Sequence, residues 1–324
     1  MIQLAVIGAG QLGSRHLQSF ALLDRPSRVV VVDPIPASLD TARVLFDQNS
    51  GDSQVESVEF QTRLEDIPTR IDVAVIATGA DTRRTVVQSL LARCQVRSLI
   101  LEKILFQTPS DYAEVETLLQ ETHTKAWVNC PRRIWPVYRK LKETWPSGPL
   151  DYRVTGSAWG LACNAIHFLD HAAFLSGQGK FSLESSELDA DVFPSRRPGC
   201  VEFSGRIRGQ TPQGTRVEII SDRDGDAPLV ITIFSADCQL VVNETAGTAA
   251  VARRCNNWCW EPLTFAVPYQ SQLTHLVVQQ LLDEGDCELT PYQRSTPIHL
   301  SLLQVLMAHY RKHVDKDAQR CPIT

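Results

Sequence analysis

Apolar positions along the chain change their spacing in a regular way. From residue 1 to about 125, short continuous runs of Val, Ile, Leu and Ala alternate with stretches in which apolar residues recur every three or four positions. The runs at 3–7, 29–32, 58–60, 73–77, 99–101 and 126–128 predict strands buried on both faces. The stretches at 13–23, 38–46, 82–92 and 110–122 predict amphipathic helices, with Ser110 as N-cap of the last. Strands and helices in this alternation predict an α/β Rossmann-type, doubly wound parallel sheet covered on both sides.

The pattern shifts after the Pro/Gly cluster at 145–149. A strand at 152–157 leads to a helix near 164–175, followed by extended segments at 201–208, 215–221, 229–234 and 240–243. The turn-rich connections 209–214 and 222–228 read as hairpin loops, and helices around 270–282 and 298–313 close the chain. The expectation is two domains. Residues 1–125 form the Rossmann domain, with the sixth strand and crossover reaching about 149. Residues 150–324 form an α+β domain with an open, mainly antiparallel sheet and a C-terminal helix that packs back. If the sheet face without helices is apolar it needs a partner, which predicts a homodimer or homotetramer.

Composition narrows the class. Of 324 residues, 43% are apolar and 21% charged, which predicts a packed globular core. A net charge of −5 argues against a surface built to neutralise nucleic-acid phosphates. No apolar run approaches the roughly 18 residues that would span a bilayer. The chain opens directly on a strand-like run without the pattern of a signal peptide. The nine cysteines show no paired framework, and the spacing of Cys255 and Cys259 fits neither a redox CxxC nor a zinc ribbon. Reduced thiols, a cytoplasmic location and no metal site are expected.

The segment from Gly8 through Ala9, Gly10, Gln11 and Leu12 to Gly13 lies between a predicted strand and a predicted helix. Gly8 permits the tight turn, Gly10 lets backbone approach a pyrophosphate, and Gly13 lets the helix pack on the strand. The helix N-terminus then offers N–H groups and partial positive charge to phosphates. Asp33 ends the second predicted strand, where a carboxylate accepts ribose hydroxyls and repels a 2′-phosphate. Pro34, not an arginine, follows it. The cofactor expected from these residues is NAD in preference to NADP.

Further motifs follow in order. His16 closes the run Gly13-Ser-Arg-His. Ala77-Thr78 ends the fourth strand, Glu102-Lys103 the fifth, and Asn129 to Arg133 follow the sixth. Gly160 through His167 to Asp170 opens the second domain. Together they resemble the Gfo/Idh/MocA oxidoreductase family over essentially the whole chain. The resemblance implies hydride transfer between a nicotinamide cofactor and a hydroxyl or ketone carbon of a sugar, nucleotide sugar or inositol. It implies Lys103 beside the reacting oxygen, His167 as general acid/base, and Thr78 and Glu102 lining the cofactor. Two positions depart from the family pattern. Ile104 stands where a proline follows the lysine, so ring chemistry does not fix the peptide after Lys103. Cys163 stands where an aspartate precedes the histidine by four residues.

Histidine suits proton transfer because its ordinary pKa is near 6.5, and a lysine stabilises a developing alkoxide. Asn164 is a candidate for substrate contact, and Arg133 for a carboxylate or phosphate on the substrate. Asp170, three residues after His167, either orients it or holds the helix in place. The cluster Arg253 to Trp260 offers cations and aromatic faces to a sugar or serves as a packed loop. Two other functions compete: a catalytically weak NAD-binding sensor or partner-binding protein, suggested by Cys163, and a reductase of a non-sugar ligand such as a tetrapyrrole or imine. The reactant expected is a small sugar-like molecule, with neither nucleic acid nor membrane as partner.

Overall fold

The computed structural model describes every residue except Ser147, which lies within the Pro/Gly cluster, and gives Ser185 and Ser186 as backbone only. The chain forms two compact units. The first comprises Met1–Phe106, Ser110–Pro131 and Pro268–Gln293; the second comprises Gln107–Pro109, Arg132–Val267 and Arg294–Thr324.

The first unit begins with β1 (Ile2–Ile7), α1 (Gln11–Phe20), β2 (Ser27–Val32), α2 (Pro36–Asp47), β3 (Val55–Gln61), β4 (Arg70–Ile76), α3 (Arg83–Leu91), β5 (Gln95–Leu101), α4 (Pro109–Glu121) and β6 (Lys125–Val128). The strands pair in parallel in the order β3-β2-β1-β4-β5-β6. Their central residues, among them Leu4 to Val6, Val29 to Val31, Val73 to Ile76 and Leu99 to Leu101, are buried. This is why the runs lack alternation: both faces carry helices. The chain order reverses between β1 and β4, which opens a crevice at the carboxyl ends of the strands.

The second unit continues with α5 (Pro136–Thr144), β7 (Asp151–Thr155), α6 (Leu161–Ser176), β8 (Ser182–Leu188), β9 (Phe193–Pro194), β10 (Val201–Glu202), β11 (Gly205–Gln210), β12 (Arg216–Ser221), β13 (Val230–Phe234), β14 (Cys238–Asn243), β15 (Thr248–Arg253) and β16 (Trp260–Thr264). Eight of these strands form one sheet in the order β16-β15-β14-β13-β7-β12-β11-β8, antiparallel except for β7 against β12. The chain then returns to the first unit as α7 (Thr274–Glu284) and β17 (Thr290–Pro291). β17 pairs antiparallel with β6, before α8 (Tyr292–His313).

Several expectations are corrected here. The boundary falls near Arg132, not at 145–149, and a segment near the C-terminus re-enters the first unit. The 209–214 loop is a hairpin between β11 and β12, but 222–228 is not a hairpin, because β7 lies between β12 and β13. The segment 201–208 breaks in two at Gly205, whose φ of +100° would strain any side chain. β8 and β16 are edge strands with polar or exposed sequences, so neither shows the alternation of a half-buried strand.

The outer face over β8, β11, β12 and β7 is not apolar. Cross-strand neighbours carry the ion pairs Arg206–Glu187, Arg208–Glu187, Arg208–Glu218, Arg153–Glu218 and Arg216–Asp151. That half of the face therefore does not supply the apolar surface on which the oligomer expectation rested.

A more buried cluster ties the start of the second unit together. Arg132 forks onto Glu244 at 2.8 and 2.6 Å, Tyr138 Oη donates to the same carboxylate at 2.7 Å, and the guanidinium lies 4.2 Å from the Phe168 ring centroid. Removing the acid leaves a largely buried cation and phenol unpaired. Glu244→Ala should cost about 3–5 kcal/mol, seen as a lower urea midpoint with an unchanged slope; a midpoint within error of the parent would show that the cluster contributes nothing.

Candidate active site

The glycine turn sits at the carboxyl end of β1. Gly8 has φ +96°, and a Cβ there would stand 2.9 Å from the Thr78 backbone nitrogen, so the turns after β1 and β4 touch. A Cβ on Gly13 would stand 1.7 Å from the Gly8 carbonyl oxygen, so only glycine allows α1 to begin where it does. Gly10 is different: its Cβ position has nothing within 4 Å. The first helical bond runs from Ser14 N–H to Gly10 O, which leaves the N–H groups of Gln11, Leu12 and Gly13 ahead of the helical ladder. Gly10, Gln11 and Leu12 are exposed.

Asp33 braces this turn from β2. Its Oδ2 accepts the Ala9 N–H at 2.7 Å and its Oδ1 accepts the Ile35 N–H at 2.9 Å. Each oxygen keeps a further lone pair for a ribose hydroxyl. Thr78 Oγ1 is buried and finds no hydrogen-bond partner among the described residues. An open Gly10, helix N–H groups, a carboxylate at the end of β2 and an unpaired threonine hydroxyl fit a dinucleotide. Among the described residues, no group of three or more His, Cys, Asp or Glu could hold a metal ion, and no helix is long and apolar enough to cross a membrane.

Lys103 follows β5 and is partly exposed, while the residues on either side are clamped. Glu102 is buried, and its Oε1 accepts from His16 Nε2 at 2.9 Å and from Asn129 Nδ2 at 2.5 Å. Asn129 Nδ2 also donates to Gln270 Oε1 at 2.9 Å, Gln270 Nε2 donates to Thr274 Oγ1 at 2.9 Å, and His16 Nδ1 lies 2.8 Å from that hydroxyl. These five side chains close a hydrogen-bond ring. Glu102 was expected to line the cofactor; its carboxylate is instead spent inside the ring. Burial opposes its ionisation, but the hydrogen bond and charge of His16, the Asn129 amide and nearby Lys103 outweigh burial and hold its carboxyl below the usual glutamate range.

On the other side of Lys103, the Lys103–Ile104 peptide is cis. Arg83, buried at the start of α3, donates to the carbonyls of Ile104, Thr78 and, at 2.8 Å, Leu105. One guanidinium thus ties the turn after β4 to the turn after β5. Arg83 was not anticipated. Beside Arg84 it reads as part of an exposed helix face, and only the tertiary fold brings these carbonyls to it.

In the second unit, α6 carries His167. Cys163, Asn164 and His167 are the partly exposed residues of its first two turns; Ala162, Ala165, Ile166, Phe168 and Asp170 are buried. Two expectations change, those for Arg133 and Asn164. Arg133 forks onto Asp170 at 3.0 and 3.3 Å, and Asp170 is 1% exposed, so neither is available to a substrate carboxylate without stranding a buried charge. Asn164 Nδ2 donates back to the carbonyls of Trp159 at 2.8 Å and Gly160 at 3.2 Å, so it braces the turn that starts the helix. His171 is buried against Tyr138 and lies 2.8 Å from Tyr152 Oη; burial, with Arg132 and Arg133 nearby, pushes its pKa well below the ordinary value.

Glu202 was also missed. Its Oε2 accepts the Ala162 N–H at 2.8 Å and its Oε1 accepts the Cys163 N–H at 3.1 Å, capping α6 from β10. Nothing local in the run 201–208 signals this. In the cluster from Arg253 to Trp260, Arg253 pairs with Glu261 and Arg254 with Asp237. Trp258 and Trp260 are exposed. Asn257 and Trp258 have positive φ.

Residues 2–130 match the model of the Gfo/Idh/MocA oxidoreductase family, described as an NAD-binding Rossmann fold. The match is to the Rossmann part of the chain. Solved structures share the fold across both units. UDP-N-acetylglucosamine 3-dehydrogenase from Acidithiobacillus ferrooxidans is 15% identical with a TM-score of 0.71, over 95% of this chain and 97% of that one. Levoglucosan dehydrogenase, solved with NADH, is 15% identical with a TM-score of 0.71, over 96% and 97%. Biliverdin reductase from Synechocystis, solved with biliverdin and NADP+, is 14% identical with a TM-score of 0.70, over 95% and 98%. No curated protein matches the chain.

The lowered pKa of Glu102 has a sign that can be tested. A carboxyl depressed on folding contributes stability that is complete above the unfolded glutamate pKa, about 4.3, and is lost as pH falls through the folded value. Glu102→Gln should therefore flatten the acid limb of the stability–pH curve below that point. It should also lower the plateau at neutral pH by about 3–5 kcal/mol. Urea midpoints between pH 3 and 8 measure both; parallel curves for the two proteins would contradict the assignment.

Proposed function

We propose that this protein is an NAD(H)-dependent oxidoreductase. It would transfer hydride between nicotinamide and a hydroxyl or ketone carbon of a sugar, nucleotide sugar or inositol-like substrate. One observation carries this reading. Of the ionisable residues in the two family motifs, Glu102, Asp170 and His171 are buried and engaged in structural bonds, whereas Lys103 and His167 stay partly exposed.

A bound nicotinamide supplies the hydride acceptor or donor. His167 takes the hydroxyl proton as the carbinol is oxidised and returns it in the reverse direction. The Lys103 ammonium stabilises negative charge on the reacting oxygen. The His16–Glu102 ring and Arg83 fix the backbone on both sides of Lys103. Asp33 favours NAD, because its carboxylate accepts ribose hydroxyls and would repel a 2′-phosphate.

The test is turnover of NAD and NADP with a panel of sugars, nucleotide sugars and inositols, followed at 340 nm. Oxidation with NAD is expected. Lys103→Ala and His167→Ala should each lower kcat by about 10²- to 10⁴-fold while NADH fluorescence titration shows binding intact. Full activity in both variants would remove the assigned roles. NADH binding without turnover of any panel member would favour a nucleotide-dependent sensor on the same fold.

A further inference from the structure

We propose that Cys238 and Cys255 form a dithiol site that a hydroperoxide converts into a disulfide. The site lies within the second unit and does not depend on the hydride-transfer reading.

Strand pairing brings the two thiols together. Cys238 opens β14 and pairs in register with Arg253, the last residue of β15. The ladder bond beyond that pair runs from Arg254 N–H to Asp237 O at 2.9 Å, and Cys255 follows at once. A residue two places beyond a cross-strand partner is a diagonal neighbour, within reach of side-chain contact. The chain then leaves the ladder in a tight turn. Trp258 N–H donates to Arg253 O and Cys259 N–H to Asn256 O, both at 3.0 Å. Trp258 has φ +61°, a conformation that a bulky residue keeps only when the surrounding structure imposes it. Cys255 is therefore presented by a turn of defined shape.

The two sulfurs differ in environment. Cys238 is 2% exposed, whereas Cys255 is exposed, and both line a cavity of about 340 Å³ together with Thr144, Asp237, Arg253 and Arg254. Burial pushes the Cys238 thiol above the ordinary cysteine range; Arg253 opposes that shift and Cys255 reinforces it. Cys238 is thus a protonated thiol at neutral pH, and Cys255 is the one a dissolved oxidant meets first. The Cys255 thiolate attacks one oxygen of hydrogen peroxide. An S–O bond forms, the O–O bond breaks, and the other oxygen leaves as hydroxide and takes a proton to become water. Cys238 then attacks the sulfenic sulfur. The S–S bond forms, the S–O bond breaks, and the Cys238 proton leaves with the oxygen as water. The two thiols lose two electrons, which the peroxide takes. The product ties the start of β14 to the turn that carries Trp258, and a thiol reductant reverses it.

Peroxide titration read by peptide mass spectrometry tests this. It is run on the parent and on Cys259→Ser, which removes the other exposed thiol of the turn. In both, hydrogen peroxide should join the peptides of Cys238 and Cys255 through a disulfide that dithiothreitol releases. Oxidation should also raise the thermal unfolding midpoint, because the cross-link restricts the unfolded chain. In Cys238→Ser the same peroxide should stop at a sulfenic acid on Cys255, trapped by dimedone, with no rise in midpoint. In Cys255→Ser, Cys238 should stay reduced. Thermal unfolding of the reduced variants confirms that each is folded, and Cys238→Ala replaces Cys238→Ser if serine is not tolerated at the buried position. Oxidation of Cys255 in Cys259→Ser with Cys238 left as a thiol would overturn the proposal. So would a Cys255–Cys259 disulfide as the product in the parent, undiminished oxidation of Cys238 in Cys255→Ser, or no loss of either thiol.

Discussion

The hydrogen-bond ring of His16, Glu102, Asn129, Gln270 and Thr274 is the constraint on which the first unit depends. It joins the helix after the glycine turn, the ends of β5 and β6, and the segment that returns near the C-terminus. A buried histidine–glutamate pair is costly to desolvate and tolerable only when the remaining donors and acceptors are matched. Here each member bonds to two others. The arrangement converts an electrostatic penalty into a geometric restraint on where α1 begins relative to β5. The position of α1 in turn decides where its free N–H groups point.

The same economy separates two adjacent residues at the end of β5. Glu102 faces inward and is committed to the ring; Lys103 stays accessible. Arg83 secures the carbonyls that follow. The backbone on either side of the lysine is therefore held, before it through the Glu102 side chain and after it through Arg83 of α3. In the second unit the division is similar. Asp170 and His171 are buried with Arg133 and Tyr152, and Cys163, Asn164 and His167 on α6 are partly exposed.

Much of this was legible in the sequence, for identifiable reasons. The Rossmann strands were readable because burial on both faces leaves an unbroken run of Val, Ile and Ala. The glycines were readable because their roles are local: Gly13 meets the carbonyl of Gly8 five residues away. The edge strands β8 and β16 were not readable, since a strand that covers no core imposes no alternation. Nor was the 222–228 connection, because nothing within it tells that β7 lies between its two strands. Arg133, Asn164 and Glu102 were placed by motif as ligand-facing. Each was drawn off by a partner from elsewhere in the chain or from the helix turn, and motif spacing carries no information about such partners. Glu202 and Arg83 were invisible for the same reason.

The re-entry of residues 268–293 into the first unit has a consequence for how the chain is made. Synthesis proceeds from the N-terminus, and domains generally fold as units while the chain emerges. By residue 131 the ribosome has delivered β1 through β6 and the glycine turn, yet neither Gln270 nor Thr274 exists. Until then His16 and Glu102 lack two of their five ring members, and the surface of α1 later covered by α7 stays wet. The second unit's sheet is synthesised in that interval. The first unit thus begins to form before the second, and its glycine turn acquires its final restraint only after the second unit's sheet has been made.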